Sequence, residues 1–380
     1  MVHSTRQGPL SGLRVVELAG IGPGPFCAMM LADLGADVLR VDRPGPVDEG
    51  ARSALLNRGR RSVVLDLKHP VGLETLLRLV DAADVLLEGY RPGVTERLGV
   101  GPDACLARNP GLVYGRMTGW GQSGPLSRAA GHDIGYIART GALHMLGKPD
   151  GPPQPPSNLL GDFGGGGMLM AFGICAALWE RSRSGAGQVV DAAIVDGTAS
   201  LLAMHWMWRA MGTLEDQRGV NLLDGGVPWY EVYETSDGGW MAVGALEPQF
   251  YAALVAGLDL PDLPDRADPG AWAALRVSFT ERFRERTRDE WTATFIGTDA
   301  CVEPVLSMAE AAHDEHLRER GTYVVRDGQV QPAPAPRFSR TPGAIDGPPP
   351  VPGEHTIAAL LDWGLTDAES LVEQGAARQA

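Results

Sequence analysis

Short apolar runs alternate with amphipathic segments through the first third of the chain. The apolar runs are rich in valine and leucine and have the length of buried strands. Residues 26–35 and 72–83 instead show the spacing of helices. The predicted strands cover residues 13–19, 36–42, 62–67, 84–88 and 112–118. Strands that alternate with helices in this way predict an α/β fold with a parallel, doubly wound, Rossmann-like sheet.

The pattern changes in the second half of the chain. Residues 165–183 predict a long buried helix that ends at Gly185, and residues 189–195 predict a further strand. Residues 229–246 then alternate with period two around residues 237–239, which is typical of a β-hairpin. Helical patterns follow over residues 248–257, 270–285, 303–320 and 355–363. The second half therefore indicates a smaller α+β region.

The domain organisation follows from these patterns and from the length of the chain. A chain of 380 residues is long enough for two domains, each with its own core. We predict a large Rossmann-like domain over residues 1–212, completed by residues 330–380. A smaller α+β domain is predicted over residues 222–325.

Composition and charge narrow the classes of partner. The net charge is −14 and lysine and arginine form no run, so neither nucleic acid nor an anionic membrane surface is expected as a partner. We see no apolar run of roughly 20 residues and therefore expect no membrane span. The four cysteines lie far apart and are expected to be reduced thiols, which favours a cytoplasmic location.

Two glycine clusters raise the question of a nicotinamide cofactor. Gly119, Gly121 and Gly124 have the G-x-G-x-x-G spacing, which binds a dinucleotide when the last glycine opens a helix. Here Pro125 and a polar loop follow instead. The second cluster, residues 19–25, ends in proline where the last glycine is required. Tight turns are the favoured interpretation of both clusters, and no separate cofactor is predicted.

A pair of histidines raises the question of a metal. His313 and His316 are spaced like the ligands of a metal ion on a helix. The surrounding segment is rich in charged residues and supplies no evident third ligand. We interpret it as a solvated helix face and predict no metal site.

The segment GHDIGY, residues 131–136, carries a resemblance to a known family. Together with five other segments in the same order, it closely resembles the alpha-methylacyl-CoA racemases of the family III CoA-transferase superfamily. The similarity extends from about residue 9 to residue 340. The other segments are LSGLRVVELAGIGPGPFCAMMLADLGADVLRVDRPG, RRSVVLDLK, EGYRPGVTERLG, GWGQSGP and GDFGGG.

The resemblance implies an architecture and an activity. The architecture is an interlocked homodimer of the family III CoA-transferase type, with the acyl-CoA site between the large domain of one subunit and the small domain of the other. The activity is the interconversion of (2R)- and (2S)-2-methylacyl-CoA by two-base 1,1-proton transfer through an enolate. The alternative is a family III CoA-transferase, which moves CoA between carboxylic acids through an acyl-aspartate. In both cases CoA is part of the substrate.

Three residues are the candidate catalytic groups. His132 has a side chain that titrates near neutrality, although the residues alone favour a loop histidine bonded to a backbone carbonyl. Glu247 precedes Pro248 and is either a helix-start carboxylate or an acceptor that orients the catalytic histidine. The resemblance implies that His132 is one base and that Glu247 is its hydrogen-bond partner.

Asp162 is the third candidate and the predicted second base. Taken alone it is an N-cap, a carboxylate placed just before an apolar helix. The glycines at 164–167 argue for a close approach to the backbone, which a thioester oxygen resting on their amides would explain. The resemblance implies that Asp162 is catalytic. Because a covalent carboxylate needs no histidine partner, the pair of His132 and Asp162 favours the racemase over the transferase.

The resemblance also implies a set of CoA contacts. Arg43 follows a predicted strand, and guanidinium groups suit phosphates and purines. Gly135 departs from the pattern, since many members of the family have asparagine there. Arg91, Asn158 and Tyr230 are weaker candidates for the site. The remaining predicted contacts are Leu65, Asp66, Leu67, Lys68, Gly131, His132, Asp133, Ile134, Gly135 and Tyr136.

Overall fold

The computed structural model describes residues 6–46 and 50–380. All of the predicted strands are present, and their ends agree with the sequence pattern to within two residues. The strands are β1 Arg14–Leu18, β2 Asp37–Asp42, β3 Arg61–Leu65, β4 Val85–Glu88, β5 Val113–Thr118, β6 Gln188–Ala193, β7 Tyr230–Glu234, β8 Trp240–Gly244, β9 Val302–Pro304, β10 Tyr323–Arg326, β11 Gln329–Pro332 and β12 Ala377–Arg378.

Helices separate most of these strands. They are α1 Pro23–Asp33, α2 Pro70–Asp81, α3 Val94–Arg97, α4 Pro102–Arg108, α5 Asp133–Thr140, α6 Leu169–Ser184, α7 Ile194–Leu201, α8 Ala203–Ala210, α9 Pro248–Leu258, α10 Trp272–Phe283, α11 Arg288–Phe295, α12 Met308–Ala311, α13 Glu315–Glu319, α14 Thr356–Asp362 and α15 Ala368–Glu373. A π-helical segment, Leu159–Met168, runs directly into α6. Short 3-10 turns occur at Ala51–Ser53, Leu55–Asn57, Leu143–Met145 and Pro269–Ala271.

The main sheet has the strand order β12-β3-β2-β1-β4-β5-β6. All of its neighbouring pairs are parallel except β12 with β3. The order 3-2-1-4-5-6 is that of a doubly wound Rossmann-like sheet, so the predicted fold class is confirmed. The two-residue strand β12 carries too little pattern to be predicted, and its pairing with Leu65 and Val64 is a finding of the structure.

Both faces of this sheet are buried. Val16 packs into one aliphatic cluster with Leu79 of α2 and Leu360 of α14. The preceding residue, Val15, packs into a second cluster with Leu31 of α1 and with α6. Because successive side chains of a strand point to opposite faces, a sheet covered on both sides requires continuous apolar runs. This explains the near-continuous valine and leucine pattern of the predicted strands.

The chain divides into two compact units, each of which is described by itself. The first comprises residues 1–140, 157–202 and 319–380, and the second comprises residues 141–156 and 203–318. The structure thus groups residues 141–156 and 203–212 with the second unit, although the sequence pattern places them in the large domain. It groups residues 319–325 with the first unit.

The second unit contains a three-stranded antiparallel sheet, β7-β8-β9, with an aromatic core. The predicted hairpin is confirmed as β7 and β8, with Gly238 in the left-handed region at φ +78°. The helix predicted over 303–320 is wrong, because the segment forms β9 and the short helices α12 and α13. Helix α11 was not predicted, although Thr287 and Glu290 form a capping box at its start.

The predicted helix over 165–183 begins earlier than the pattern indicates. The π-helical segment and α6 form one helix from Leu159 to Ser184, which ends at Gly185 with φ +76° as predicted. By length and composition alone this helix could cross a membrane, so the expectation that no segment reaches that length is wrong. It is weak evidence of a span, because core helices of soluble proteins meet the same criterion.

Candidate active site

A cavity of about 340 Å³ opens at the carboxyl ends of the central strands of the first unit. The strand order reverses between β1 and β4, and ligands of doubly wound sheets bind where this reversal occurs. The turn after β1, residues 20–24, forms one wall, and Gly89 and Arg91 after β4 form another. His132, Tyr136 and Asp162 also line this cavity. The two predicted bases therefore share one cavity.

His132 occupies the position before the first turn of α5. Its backbone carbonyl accepts hydrogen bonds from the N–H groups of Gly135 and Tyr136, at 2.8 and 3.2 Å. The residue is exposed, and its imidazole forms no hydrogen bond within the described part of the chain. The alternative of a ring bonded to a backbone carbonyl is therefore not found there. These hydrogen bonds fix the backbone at His132, while its ring has no hydrogen-bond partner among the described residues.

Asp162 lies inside the π-helical segment and not before it. The predicted N-cap role is wrong, because the helix begins three residues earlier, at Leu159. π-helical turns are rare and are frequently found at functional sites. The Asp162 carboxyl group is partly buried, and Asn158 donates a hydrogen bond from Nδ2 to Oδ2 at 3.4 Å.

The surroundings of Asp162 change its proton affinity. Burial raises the pKa of the Asp162 carboxyl, the hydrogen bond from Asn158 lowers it, the charge of Asp133 raises it and His132 lowers it. The net pKa lies above the ordinary value of 3.8. A carboxyl group whose pKa moves toward neutrality is better suited to accept and return a proton.

The glycines that follow Asp162 have a packing role. A Cβ on Gly165 would lie 2.6 Å from Oγ1 of Thr198 in α7, and one on Gly167 would lie 2.8 Å from the Pro23 carbonyl oxygen in α1. Gly165, Gly166 and Gly167 are buried. Protein atoms thus occupy the space that a side chain would need at these positions, and the hypothesis that a thioester oxygen rests on the glycine amides stays a prediction. The glycines let the π-helical segment pack closely against two helices.

The G-x-G-x-x-G segment also serves packing. A Cβ on Gly119 would overlap the ring of Tyr136, and one on Gly131 would lie 2.6 Å from the same ring. Tyr136 in turn packs edge-on against Trp120, with ring centroids 4.8 Å apart. No helix begins at Gly124, and the next helix is α5. The context that a dinucleotide fingerprint requires is therefore missing from this described segment.

The predicted CoA contacts at the ends of β2 and β3 differ in how accessible their side chains are to a ligand. Arg43 is exposed after β2, and Lys68 is exposed after β3, at the same sheet edge as the cavity. The Asp66 carboxylate accepts the Lys68 backbone N–H at 2.9 Å. Leu67 is partly buried against the core. Leu65 is only 1% exposed within the core, so its side chain is not available to a ligand.

The remaining predicted residues fall on both units. Gly135 in α5 faces open space, since a Cβ built there meets no atom within 4 Å, and Ile134 is exposed. Glu247 and Tyr230 belong to the second unit. Glu247 stands at the N-cap position of α9, is exposed, and forms no side-chain cap. The alternative of a capping carboxylate is therefore not supported for Glu247.

No group of three or more histidine, cysteine, aspartate or glutamate side chains suited to a metal ion occurs among residues 6–46 and 50–380. His313 and His316 accordingly have no third ligand within that part of the chain. The four cysteines are free thiols; Cys27 and Cys105 are buried, while Cys175 and Cys301 are exposed.

Two buried ion pairs beneath the cavity were not predicted. Glu17 of β1 lines the cavity and pairs with Arg60, and both side chains are almost fully buried. Glu88 of β4 also lines it, pairs with Arg116 at 2.9 Å, and accepts the Tyr90 N–H at 2.7 Å. Burial raises the pKa of the Glu88 carboxyl. The signal that could have identified both pairs was a glutamate directly after a run of apolar residues, at or next to the carboxyl end of a strand.

The fold agrees with comparisons to known proteins. Residues 10–356 match CoA-transferase family III, and the chain belongs to this family. Among its relatives are alpha-methylacyl-CoA racemases of Mus musculus and Homo sapiens, each 48% identical to it. The mouse alignment covers 95% of both chains, and the human alignment covers 95% of this chain and 94% of the relative.

A solved structure supports the same fold. The crystal structure of a CAIB/BAIF family protein from Brucella suis superposes with a TM-score of 0.82 at 29% sequence identity. The superposition covers 94% of this chain and all of the other.

Proposed function

We propose that this protein is a racemase of 2-methylacyl-CoA thioesters. The observation that carries the proposal is the presence of His132 and Asp162 on the walls of one cavity, at the edge of the sheet where ligands bind. The 48% identity to two alpha-methylacyl-CoA racemases over nearly the whole chain supports it. Within the reaction, each residue acts on one face of the same carbon atom.

The chemistry follows from the acidity of the carbon next to a thioester. One base removes the α-proton, the electrons of the broken C–H bond form an enolate, and the second group donates a proton to the opposite face. For the other enantiomer, the roles of His132 and Asp162 are reversed. The first backbone N–H groups of α5, at Asp133 and Ile134, have no partner inside the helix and are suited to stabilise the enolate oxygen.

The CoA portion is proposed to lie along the same sheet edge. Arg43 and Lys68 are exposed cations after β2 and β3 and suit the phosphate groups. Glu247 is proposed to accept a hydrogen bond from the catalytic histidine. We propose that the reaction uses no separate cofactor and takes place in the cytoplasm.

A homodimer is proposed as the working form. One face of the helix Leu159–Ser184 exposes large apolar side chains, with Phe172 71% and Trp179 68% exposed in the single chain. Met168 lies on the same face and is also exposed. Exposed apolar surface of this kind marks an interaction site, and a second copy of the chain is the proposed occupant.

The alternative is CoA transfer through a covalent acyl-aspartate, which the family name supports. In that reaction the Asp162 carboxylate attacks the acyl-CoA carbonyl, and the CoA thiolate leaves. An attacking carboxylate needs no second base. The presence of His132 in the same cavity therefore favours proton transfer.

Deuterium exchange distinguishes the two reactions. Incubated with the enzyme in deuterated water, one enantiomer of a 2-methylacyl-CoA is expected to gain deuterium at the α-carbon while its optical activity disappears. If the α-hydrogen is retained, the racemase proposal is wrong. Transfer of CoA to an added carboxylic acid, with hydroxylamine cleaving an acyl-Asp162 anhydride to a hydroxamate, would support the alternative instead.

A further inference from the structure

Asp133, the first residue of α5, carries a carboxylate that is unusually buried for its type. The residue is 7% exposed, and aspartate is seldom buried unless it is paired. Its Oδ1 accepts the backbone N–H of Asp162 at 2.6 Å. Its Oδ2 is buried and has no hydrogen-bond partner among the described residues. Within the described residues, the contact with Asp162 is therefore the one hydrogen bond that this buried carboxylate accepts.

Glycine at position 161 makes this contact geometrically possible. A Cβ there would overlap the Asp133 carboxylate and would lie 2.9 Å from Cγ2 of Ile137. Any other residue would push Asp133 away from the Asp162 N–H. The sequence of the π-helical segment and that of α5 are thus matched to each other at this point.

The contact gives the Asp162 N–H a hydrogen-bond acceptor that the helix itself does not supply. The first N–H groups of a helix have no intrahelical acceptor, and Asp162 is the fourth residue of the π-helical segment. The next N–H along, that of Phe163, already bonds to the Asn158 carbonyl at 3.2 Å. The Asp133 carboxylate therefore fixes the backbone at Asp162.

The contact also links the two bases. His132 is bonded covalently to Asp133, and Asp133 is hydrogen-bonded to Asp162. One peptide bond and one hydrogen bond thus connect the residues that must act on opposite faces of one carbon. Reactions of this kind are sensitive to misplacement by as little as 1 Å.

We propose that Asp133 is a positioning residue of the racemase, which fixes Asp162 relative to His132 and supplies a negative charge beside the Asp162 carboxyl group. This inference rests on the proposed function. Asp133 acts through Asp162 and not on the substrate itself. The backbone N–H of Asp133 is a separate group, which every substitution except proline retains.

The negative charge of Asp133 shifts the pKa of the Asp162 carboxyl in a direction that can be measured. It raises the pKa of the Asp162 carboxyl, in the same direction as burial, while Asn158 and His132 lower it. The other titratable groups that line the cavity are Glu17, Glu88, Arg91 and Tyr136. All of these remain when Asp133 alone is changed, so a shift in the pH profile reports the charge of Asp133.

Asp133→Asn separates the effect of the negative charge from that of the hydrogen bond to the Asp162 N–H. Asparagine retains a carbonyl oxygen for the Asp162 N–H and removes the charge. We measure kcat/KM against pH for the enantiomer whose α-hydrogen exchange is lost in Asp162→Asn. In that direction Asp162 must be deprotonated, so the acid limb reports Asp162 and the basic limb reports His132. Asp133→Asn is expected to move the acid limb to lower pH and leave the basic limb in place.

Asp133→Ala removes the acceptor as well and tests the positioning role. We expect kcat to fall about 10- to 100-fold, with a smaller change in KM, because a loosened base is misplaced. Gly161→Ala should reproduce this loss by displacing the carboxylate. If Asp133→Ala does not fold, Asp133→Asn and Gly161→Ala still decide the matter, and far-UV circular dichroism establishes that each is folded.

Asp191→Asn is the matched control. Asp191 of β6 is an exposed aspartate of the first unit that also accepts a backbone N–H, that of Gln122 at 3.3 Å. It does not line the cavity, so its substitution should leave both limbs unchanged. An unshifted acid limb in Asp133→Asn together with a wild-type kcat in Gly161→Ala would overturn the inference. Absence of exchange in the wild type would instead refute the proposed function.

Discussion

The cores of the two units differ in the side chains that they bury. The first unit has an aliphatic core with buried charges, which include the pairs Glu17–Arg60, Asp33–Arg58 and Glu88–Arg116. The second unit packs aromatic rings such as Phe279, Phe283 and Trp291. Among residues 6–46 and 50–380, its only buried polar side chain is Thr235.

The difference shows where this protein accepts an energetic cost. Burying a charge is unfavourable unless it is paired and hydrogen-bonded, and apolar residues of similar volume often stabilise a protein more. Two of the buried pairs of the first unit, those of Glu17 and Glu88, lie directly beneath the cavity. The unit that holds the candidate active site thus keeps charges that a core built for stability alone would omit.

The largest effect is expected from removing the proposed carboxyl base. Asp162→Asn should reduce the racemisation of 2-methylacyl-CoA by about 1,000-fold, within the usual range for general acid–base catalysis. The loss of optical activity measures this rate, and Asp191→Asn is the control. A racemisation rate within threefold of the wild type would mean that Asp162 is not a base of this reaction.

Breaking a buried ion pair should be the largest effect on stability. The side chains of Arg58 and Asp33 are 2% and 5% exposed. Arg58→Met leaves Asp33 charged and unpaired, so the free energy of unfolding should fall by about 3–5 kcal/mol. Urea denaturation measures this loss, and Arg58→Met with Asp33→Leu should recover most of it. Arg78→Met breaks the exposed pair with Asp367 and should cost less than about 1 kcal/mol.

In the second unit, a comparable loss of stability is expected from creating a cavity in the core and not from unpairing a charge. Phe279 is fully buried between the rings of Tyr233 and Tyr251. Phe279→Ala should lower the free energy of unfolding by about 3 kcal/mol. This loss should be nearly independent of pH between pH 5 and 8, because no buried charge is involved. A strongly pH-dependent loss would contradict the contrast between the two cores.

The raised pKa of Asp162 predicts a smaller, pH-dependent effect. Because the folded-state pKa lies above the unfolded value near 3.8, deprotonation destabilises the native state as pH rises through that interval. Asp162→Asn removes this cost. Its melting temperature should therefore exceed that of the wild type at pH 7, and the difference should vanish below about pH 4. A variant less stable than the wild type at pH 7 would show that the carboxylate is stabilised in the cavity.

The smallest effect is expected at Gly135, where many members of the family have asparagine. A side chain there meets open space, and asparagine is a slightly better helix former than glycine. Gly135→Asn should stabilise α5 by about 0.3 kcal/mol and leave the racemisation rate within about twofold of the wild type. A tenfold change in rate for one acyl chain length would instead show that position 135 contacts the acyl group.

The sheet could be predicted from the sequence because strands that are buried on both faces consist of continuous runs of apolar residues. The π-helical segment could not, since the four glycines that follow Asp162 disfavour a helix, and only their packing against Pro23 and Thr198 explains them. Helix α11 was predictable in principle from Thr287 and Glu290. The single helix predicted over residues 303–320 was wrong because charged residues with helical spacing also occur across short turns.

The candidate bases were named from the family resemblance of the motifs that contain them, but the way they are held in place was not predictable. His132 and Asp162 each lie in a distinctive segment of sequence. The hydrogen bond from Asp162 to Asp133 joins residues 29 positions apart, and no local pattern records it. The same holds for the pairing of Glu17 with Arg60, which depends on the order of the strands.

The antiparallel pairing of β12 with β3 has a consequence for synthesis on the ribosome. Residues 377 and 378 complete an edge of a sheet whose first strand starts at residue 14. The main sheet of the first unit is therefore complete only after residue 378 has been translated. The second unit lies within residues 141–318 and can form earlier. In nascent chains stalled just short of residue 377, the second unit would already be folded while the main sheet of the first unit still lacked β12.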